Sequence, residues 1–328
     1  MAARLSVEER IRQLHEVRQR SNVDEIRSAA EKAMKDSSNV VVQDAAKLMG
    51  EFELSDLEPL LLAVWKRLIE QSDPIKADKG CRAKTAIVEA LGKLNYDEPD
   101  FYLSAIAYRQ LEPAWGSPED TAESIRAACA CSLAVSRKLR AVDKLNALVD
   151  LLQGTRGDRI NSLKAMVDTG NEMAIPLLRL KLLAGDAETE VVGACMSSLL
   201  SLAGDSSVEL IGKYLAHFDT NHVIEAAAAL GAYGRPKAIE AMIAAFGRVK
   251  DKELQQTLLF SIGMSRDPCA IEFLINQLQS DSLGGTALDA LKPACVYNDT
   301  RDQVHEIRKS IGNRSLLAQF ERKFGRES

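Results

Sequence analysis

Two dipeptides in the chain set an imidazole beside a carboxylate: His15-Glu16 in QLHEVRQR and His305-Glu306 in QVHEIRKS. Paired this way, both side chains can ligate a metal, but each ligand must then sit about 2 Å from the ion. These pairs lie near opposite ends of the sequence and read as polar residues of terminal helices. The other two histidines, His217 and His222, flank Asp219 in HFDTNH. That spacing is loose for a ligand set, and His222 is expected as a half-buried residue at a helix start. The six cysteines, Cys81, Cys129, Cys131, Cys195, Cys269 and Cys295, are scattered and lack metal-ligand spacing. Cys129 and Cys131 are two apart on one helix and face different ways. No Ser-His-Asp set, phosphate loop, dinucleotide fingerprint or C-x-x-C is present. The Gly pair in LGGTALDAL opens an ordinary helix. The expectation is a chain that is not an enzyme and holds neither cofactor nor metal.

The elements that carry these residues follow from a repeat. Apolar and small residues recur at i, i+4, i+5, i+8 and i+9. One set is Val41, Ala45, Ala46, Met49, Gly50, and the next is Ala83, Ile87, Val88, Leu91, Gly92. The pattern returns at Ile125, Val191, His222, Leu254 and Leu283, with steps of 42, 42, 66, 31, 32 and 29 residues. The long step holds a degenerate set at Asp158, Ser162, Leu163, Met166 and Val167. This spacing makes one apolar stripe on a helix. Cys129 and Cys195 fill the slot held elsewhere by Ala45 and Ala226, so both are expected to be small buried groups. An aspartate stands at or just before most of these helices: Asp78, Asp120, Asp158, Asp186, Asp219, Asp251 and Asp281. There a carboxylate accepts free backbone N–H groups and complements the helix dipole.

Each such "B" helix follows an "A" helix, as in LEPLLLAVWKRLIEQ or PKAIEAMIAAFGRV. A lone pair cannot bury its apolar face, so stacking is required. Strand signals are essentially absent, and the one candidate, NVVVQDAA, keeps the helical phase. Two-helix units ending in AALGAYG or VEALGKLNYDEP, with Asp before the B helix, resemble HEAT repeats over roughly residues 22–312, and the short bacterial HEAT-like kind fits best. The resemblance implies an all-α fold: an α-solenoid of about eight stacked HEAT-like hairpins with terminal capping helices. Residues 1–21 form the N-terminal cap, 22–97 repeats 1–2, 98–137 repeat 3 with an inserted loop, 138–298 repeats 4–8 and 299–328 the C-terminal cap. Phycobilin lyases share the repeat phase and size. Deoxyhypusine hydroxylases bind iron through four His-Glu pairs, where this chain has two. HEAT-like DNA alkyl-base glycosylases line their face with basic and aromatic residues, whereas the B helices here present mixed polar groups.

Two insertions stand out against the repeat. EQSDPIKADKG, residues 70–80, and QLEPAWGSPEDTAES, residues 110–124, precede the B helices of repeats two and three. In the second, Tyr102 to Leu111 is expected to end an A helix. SPED is expected to start the next, with Ser117 at N-cap, Pro118 at N1 and Asp120 at N3, leaving EPAWG as free loop. Loops of successive hairpins emerge on one edge, so these two lie side by side. They would form a lobe carrying Asp73, Lys76, Lys79, Glu112, Trp115, Glu119 and Asp120. Trp115 either folds down over the repeat edge or contacts a partner.

Composition narrows the function classes. The 328 residues are 46% hydrophobic but only 5% aromatic, which suits many thin helix contacts. The net charge of −5 argues against a nucleic-acid partner, although the last segment, from Arg301 on, has seven Lys/Arg against four Asp/Glu. With no secretory signal, no 18-residue apolar run and unpaired thiols, the chain reads as a cytoplasmic protein–protein scaffold or adaptor with no membrane partner. Its partner is expected on the concave face, at Glu190, Glu225, Gln255 and Gln256, and on the lobe at Trp115, Glu112, Glu119, Asp73, Lys76 and Lys79.

Overall fold

A computed structural model of the chain describes residues 5–20, 22–295 and 307–324, the side chains of 294 and 295 excepted. It divides into two compact units, Met1–Thr169 and Gly170–Ser328. Each is a stack of antiparallel helix pairs, as the repeat requires. In the first unit, α1 (Val7–Arg20) packs against α2 and α3. The pairs that follow are α2/α3 (Val23–Ala33, Asn39–Glu51), α4/α6 (Glu58–Ile69, Arg82–Lys93), α7/α8 (Pro99–Ala105, Glu123–Val135) and α9/α10 (Ala141–Leu151, Arg156–Asp168). A short α5 (Pro74–Ala77) lies between α4 and α6. The second unit holds α11/α12 (Ala174–Ala184, Thr189–Ala203), α13/α14 (Val208–Gly212, Thr220–Tyr233), α15/α16 (Pro236–Phe246, Lys252–Met264) and α17/α18 (Pro268–Gln277, Gly284–Cys295). The last described helix, α19 (Arg314–Phe324), packs on α18. The valine run 40–42 lies inside α3, as its phase predicts.

The B helices pack on one another in order: α3 on α6, α6 on α8 and α8 on α10 in the first unit, and α12, α14, α16 and α18 in the second. Their stripes are the core. Val41, Ala45, Ala46, Met49, Ala83, Ile87, Leu91, Ile125, Cys129, Leu133, Ala226, Leu230, Leu258 and Ile262 are all at most 1% exposed. Burying one large aliphatic side chain contributes roughly 1.5–3 kcal/mol. A single hairpin reaches that only through its neighbours, which makes the stack the stable unit. Small slots decide the spacing. At Gly231 an added Cβ would meet the backbone of Ser261 on the next B helix, 2.9 Å from its carbonyl carbon and 3.0 Å from its Cα. Only glycine lets α14 and α16 lie that close.

Four of the recurrent aspartates, Asp78, Asp158, Asp219 and Asp251, act as helix caps, and Asp120 does not. Asp219 accepts from the Asn221 N–H (2.9 Å), Asp251 from Leu254 (3.0 Å), and Asp78 from Ala83 (3.0 Å) and Lys84 (2.9 Å). Asp158 sits at N3 and completes a capping box with Thr155. Before α18 the Leu283 N–H instead finds the Ser280 hydroxyl. Among the described residues one stretch, Thr189–Ala216, is long and apolar enough to cross a membrane. It is no continuous helix: α12 ends at Ala203, and the chain passes through short helices into α13.

Candidate functional site

The two insertions meet, as expected, but their internal structure differs from the sequence expectation. Helix α7 ends at Ala105, not Leu111, and Ser117-Pro118 opens no helix. Instead β1 (Leu111–Glu112) pairs antiparallel with β2 (Glu119–Asp120), Leu111 opposite Asp120 and Glu112 opposite Glu119. α8 starts only at Glu123. The cause is long-range. The Asp120 carboxylate accepts from the Gln110 N–H (3.1 Å), and Gln110 O accepts from the Thr121 N–H (3.0 Å), clamping the hairpin base. Arg126 takes the Tyr108 carbonyl (3.1 Å), a group that a longer α7 would have kept in its own ladder. These partners outweigh the local capping signal of SPED.

Beneath the hairpin runs a buried polar ladder. Asp78, fully buried, accepts from Asn39 Nδ2 of the preceding repeat (3.0 Å) besides its two backbone donors. Lys84, also fully buried, donates to Gln110 Oε1 (2.8 Å) and the Pro74 carbonyl (3.3 Å), with Asp78 at 3.8 Å and the Tyr108 ring at 5.4 Å. Gln110 is saturated: its Nε2 donates to Asp78 O (2.9 Å) and Glu112 Oε1 (2.7 Å), while its Oε1 accepts from Lys84 and the Tyr108 hydroxyl (2.8 Å). Glu112 Oε1 further accepts from the Gly80 N–H (2.6 Å) and Thr121 Oγ1 (2.9 Å). One rung on, Arg126 Nε meets Asp158 (2.7 Å) and its Nη1 meets Asp120 (2.8 Å).

The charges follow from this geometry. Burial lowers the Lys84 pKa, only partly offset by Asp78, Cys81 and Glu112. Burial works against Arg126 too, yet Asp158 and Asp120 hold its pKa above the ordinary value. Glu112 is pushed up by burial but pulled further down by its bonds from Gln110, Gly80 and Thr121. Burial raises the Cys81 thiol to about 11, so this cysteine is a poor nucleophile.

Glu112 therefore departs from its expected role. It is 5% exposed and ties the two loops together instead of facing a partner. Asp73 is exposed, but its carboxylate caps α5 through the Lys76 N–H (2.9 Å). Lys76, Lys79 and Glu119 are exposed. Trp115 lies in the six-residue turn between the strands and is 106% exposed, which settles its two readings against packing on the repeat edge. Gly116 beside it has φ +105°, a conformation an L side chain rarely adopts. Leu111 is a second bare apolar group on the hairpin (62%). By contrast Trp65, the other tryptophan, sits in the core edge-on to Phe101 (5.6 Å) and Tyr108 (6.1 Å).

The B-helix residues belong to the second unit. Glu190 is exposed. Gln255 and Gln256 are committed at home, donating to the Val249 carbonyl (2.8 Å) and to Thr286 Oγ1 (3.2 Å). Glu225 is half-buried and lies over Gly193 of α12; burial and then Glu190 raise its pKa. Near it the structure joins what HFDTNH spaces loosely. The His217 and His222 rings are 4.5 Å apart, and Tyr214 stacks on both. The Asp219 carboxylate accepts from His222 Nδ1 (3.1 Å), and the Asp219 N–H donates to His217 Nδ1 (3.1 Å). His15 stands 3.6 Å from Asp44, and His305 and Glu306 lie outside the described residues.

Sequence reasoning missed the ladder's cations. Lys84 and Arg126 each follow the first stripe residue of their helix, a position filled elsewhere by the buried Val42, Val192 and Val223. Each also stands six residues after its aspartate, Asp78 or Asp120. The column also holds Arg159, Gln255 and Gly284, so the basic residues in it carried little signal.

No family model and no curated protein matches the sequence. Solved structures do. One is that of the complex of CpcE and CpcF of phycocyanin lyase from Nostoc sp. PCC7120, at 20% identity and a TM-score of 0.42, covering 81% of this chain and 94% of that one. Another is human deoxyhypusine hydroxylase in complex with glycerol, at 15% identity and a TM-score of 0.32, covering 88% and 90%. Both proteins are named for a catalysed reaction, so the expectation that this chain is no enzyme is withdrawn, with no reaction assigned to the chain in its place.

Proposed function

We propose that this helical-repeat chain holds a protein partner through the hairpin of its third repeat, with Trp115 as the anchor. One observation carries the reading: a wholly exposed tryptophan at the tip of a hairpin whose base is fixed by a buried hydrogen-bond network around Gln110 and Glu112. Leaving a large apolar ring in water gains the free chain nothing, and buried aromatic anchors dominate binding energy where interfaces form. A base that is already ordered also lowers the entropy lost on association. The reading concerns what the hairpin holds. It applies equally to an adaptor and to an enzyme that works as part of an assembly. The repeat lengths near 30 residues and the capping aspartates support the short HEAT-like kind of repeat.

The test separates tip from base. Trp115→Ala removes a side chain that touches nothing beneath it, so the melting temperature is expected to stay within about 1–2 °C, as for surface substitutions generally. Capture of the native partner, compared with wild type by quantitative pull-down, is expected to fall by tenfold or more, the loss typical of a central aromatic anchor. Undiminished capture would end this reading.

A further inference from the structure

The charge around the hairpin says what kind of surface receives it. The Gly80 N–H bond to Glu112 lays the segment from Lys79 to Arg82 against β1. Lys76, Lys79 and Arg82 are all exposed, and none has an ion pair within 4 Å among the described residues. The nearby carboxylates are mostly spent. Glu112 is buried and bonded, Asp120 serves Arg126, Arg109 and the Gln110 N–H, and Asp73 caps α5. Glu119 is the acidic group left bare on the hairpin. The lobe thus shows an apolar tip, Trp115 with Leu111, and three exposed cations, on a chain whose net charge is −5.

Resting on the hairpin reading above, we infer that the partner is a protein surface with an apolar pocket for Trp115, bordered by acidic side chains on the side that meets Lys76, Lys79 and Arg82. Opposed charges across a rim steer encounter and fix orientation, while the desolvated aromatic supplies the binding energy. A nucleic acid fits less well. It carries a charge on every nucleotide, and the exposed carboxylates of the two insertions, Glu119 and Asp73, would repel it, whereas a protein places its carboxylates individually.

The experiment is a phage-displayed random peptide library selected on the full-length protein, with Trp115→Ala as the counter-selection target. Selected peptides are then measured by fluorescence polarisation across a salt series, with a labelled oligothymidylate alongside. The triple variant Lys76→Glu/Lys79→Glu/Arg82→Glu alters groups without an ion pair within 4 Å among the described residues, and because Lys79 also attracts the Glu112 carboxylate, its melting temperature and that of Lys76→Glu/Arg82→Glu are measured alongside. The expected result is Trp115-dependent peptides in which Asp or Glu flanks an apolar residue. Their affinity is expected to fall about tenfold or more in the triple variant and to weaken with salt. Trp115-dependent peptides without acidic enrichment, indifferent to charge reversal, overturn the inference and leave the hairpin reading standing. A library yielding no Trp115-dependent peptide overturns that reading itself. Tighter, Trp115-dependent binding of the oligonucleotide overturns the assignment of a protein partner.

Discussion

Replacing either buried cation of the ladder by methionine keeps the volume and removes the charge, yet the two outcomes are expected to differ. Arg126→Met strips Asp158, 1% exposed, of the bond at its Oδ1, and strips Asp120 and the Tyr108 carbonyl of theirs. Breaking a buried pair from one side costs about 3–5 kcal/mol, because the partner's charge stays buried. Lys84→Met strands nothing comparable. Asp78 keeps Asn39 Nδ2 and two backbone donors, Gln110 Oε1 keeps the Tyr108 hydroxyl, and the Pro74 carbonyl keeps the Asp78 N–H. Asp78 stays buried without its cation, but it stands 3.8 Å from Lys84, beyond hydrogen-bond reach, and keeps three donors, so the loss is expected to be smaller, about 1–2 kcal/mol. Both tryptophans lie in the first unit, and only Trp65 is buried, so urea unfolding followed by fluorescence reports this unit. At a slope of about 2 kcal/mol per M, the arginine variant moves the midpoint down by about 1.5–2.5 M and the lysine variant by about 0.5–1 M. Equal losses in the two variants would show that the ladder's bonds do not divide the energy as their geometry says.

Two other outcomes follow from the second unit. Gly231→Ala improves helix propensity by about 1 kcal/mol but drives a Cβ into the Ser261 backbone, so a net loss is expected, whereas Gly212→Ala, whose nearest neighbour is Ala241 Cβ at 3.9 Å, should gain stability; thermal scans of the two giving shifts of the same sign would contradict the close approach of α14 and α16. Glu225, with a raised pKa, binds more protons folded than unfolded, so it erodes stability as pH rises above the ordinary value of 4.5. Glu225→Gln is therefore expected to raise the melting temperature at pH 7 and leave it unchanged at pH 4, and an equal gain at both would assign the effect to packing instead.

The helical repeat was legible because its cause is local and repeated: the same five-position stripe, placed by the period of a helix, buries the same slots in every pair. NVVVQDAA could be read as helix despite three consecutive valines because its phase matched that stripe. The third-repeat insertion was not legible in detail. Ser117-Pro118-Glu119-Asp120 is a good local helix start, but Asp120 is claimed by Gln110 and Arg126, and no local pattern announces a claim made from across the loop. The inward turn of Glu112 had the same origin, since its partners come from Gly80 in one insertion and Thr121 in the other. What could be read was adjacency: two long loops in successive repeats had to meet.

The division of labour within the hairpin bears on how readily its specificity can change. Residues 113–118 are all exposed, while the groups that hold the strands together lie outside that stretch. Selection can therefore exchange five of the six freely, Gly116 with its φ of +105° excepted, altering what the protein recognises while the scaffold below stays as it is. The same property makes the turn a natural acceptor for grafted sequences, and a chimaera carrying a foreign six-residue tip with glycine kept at 116 should inherit the donor's preference at little expense to the host fold.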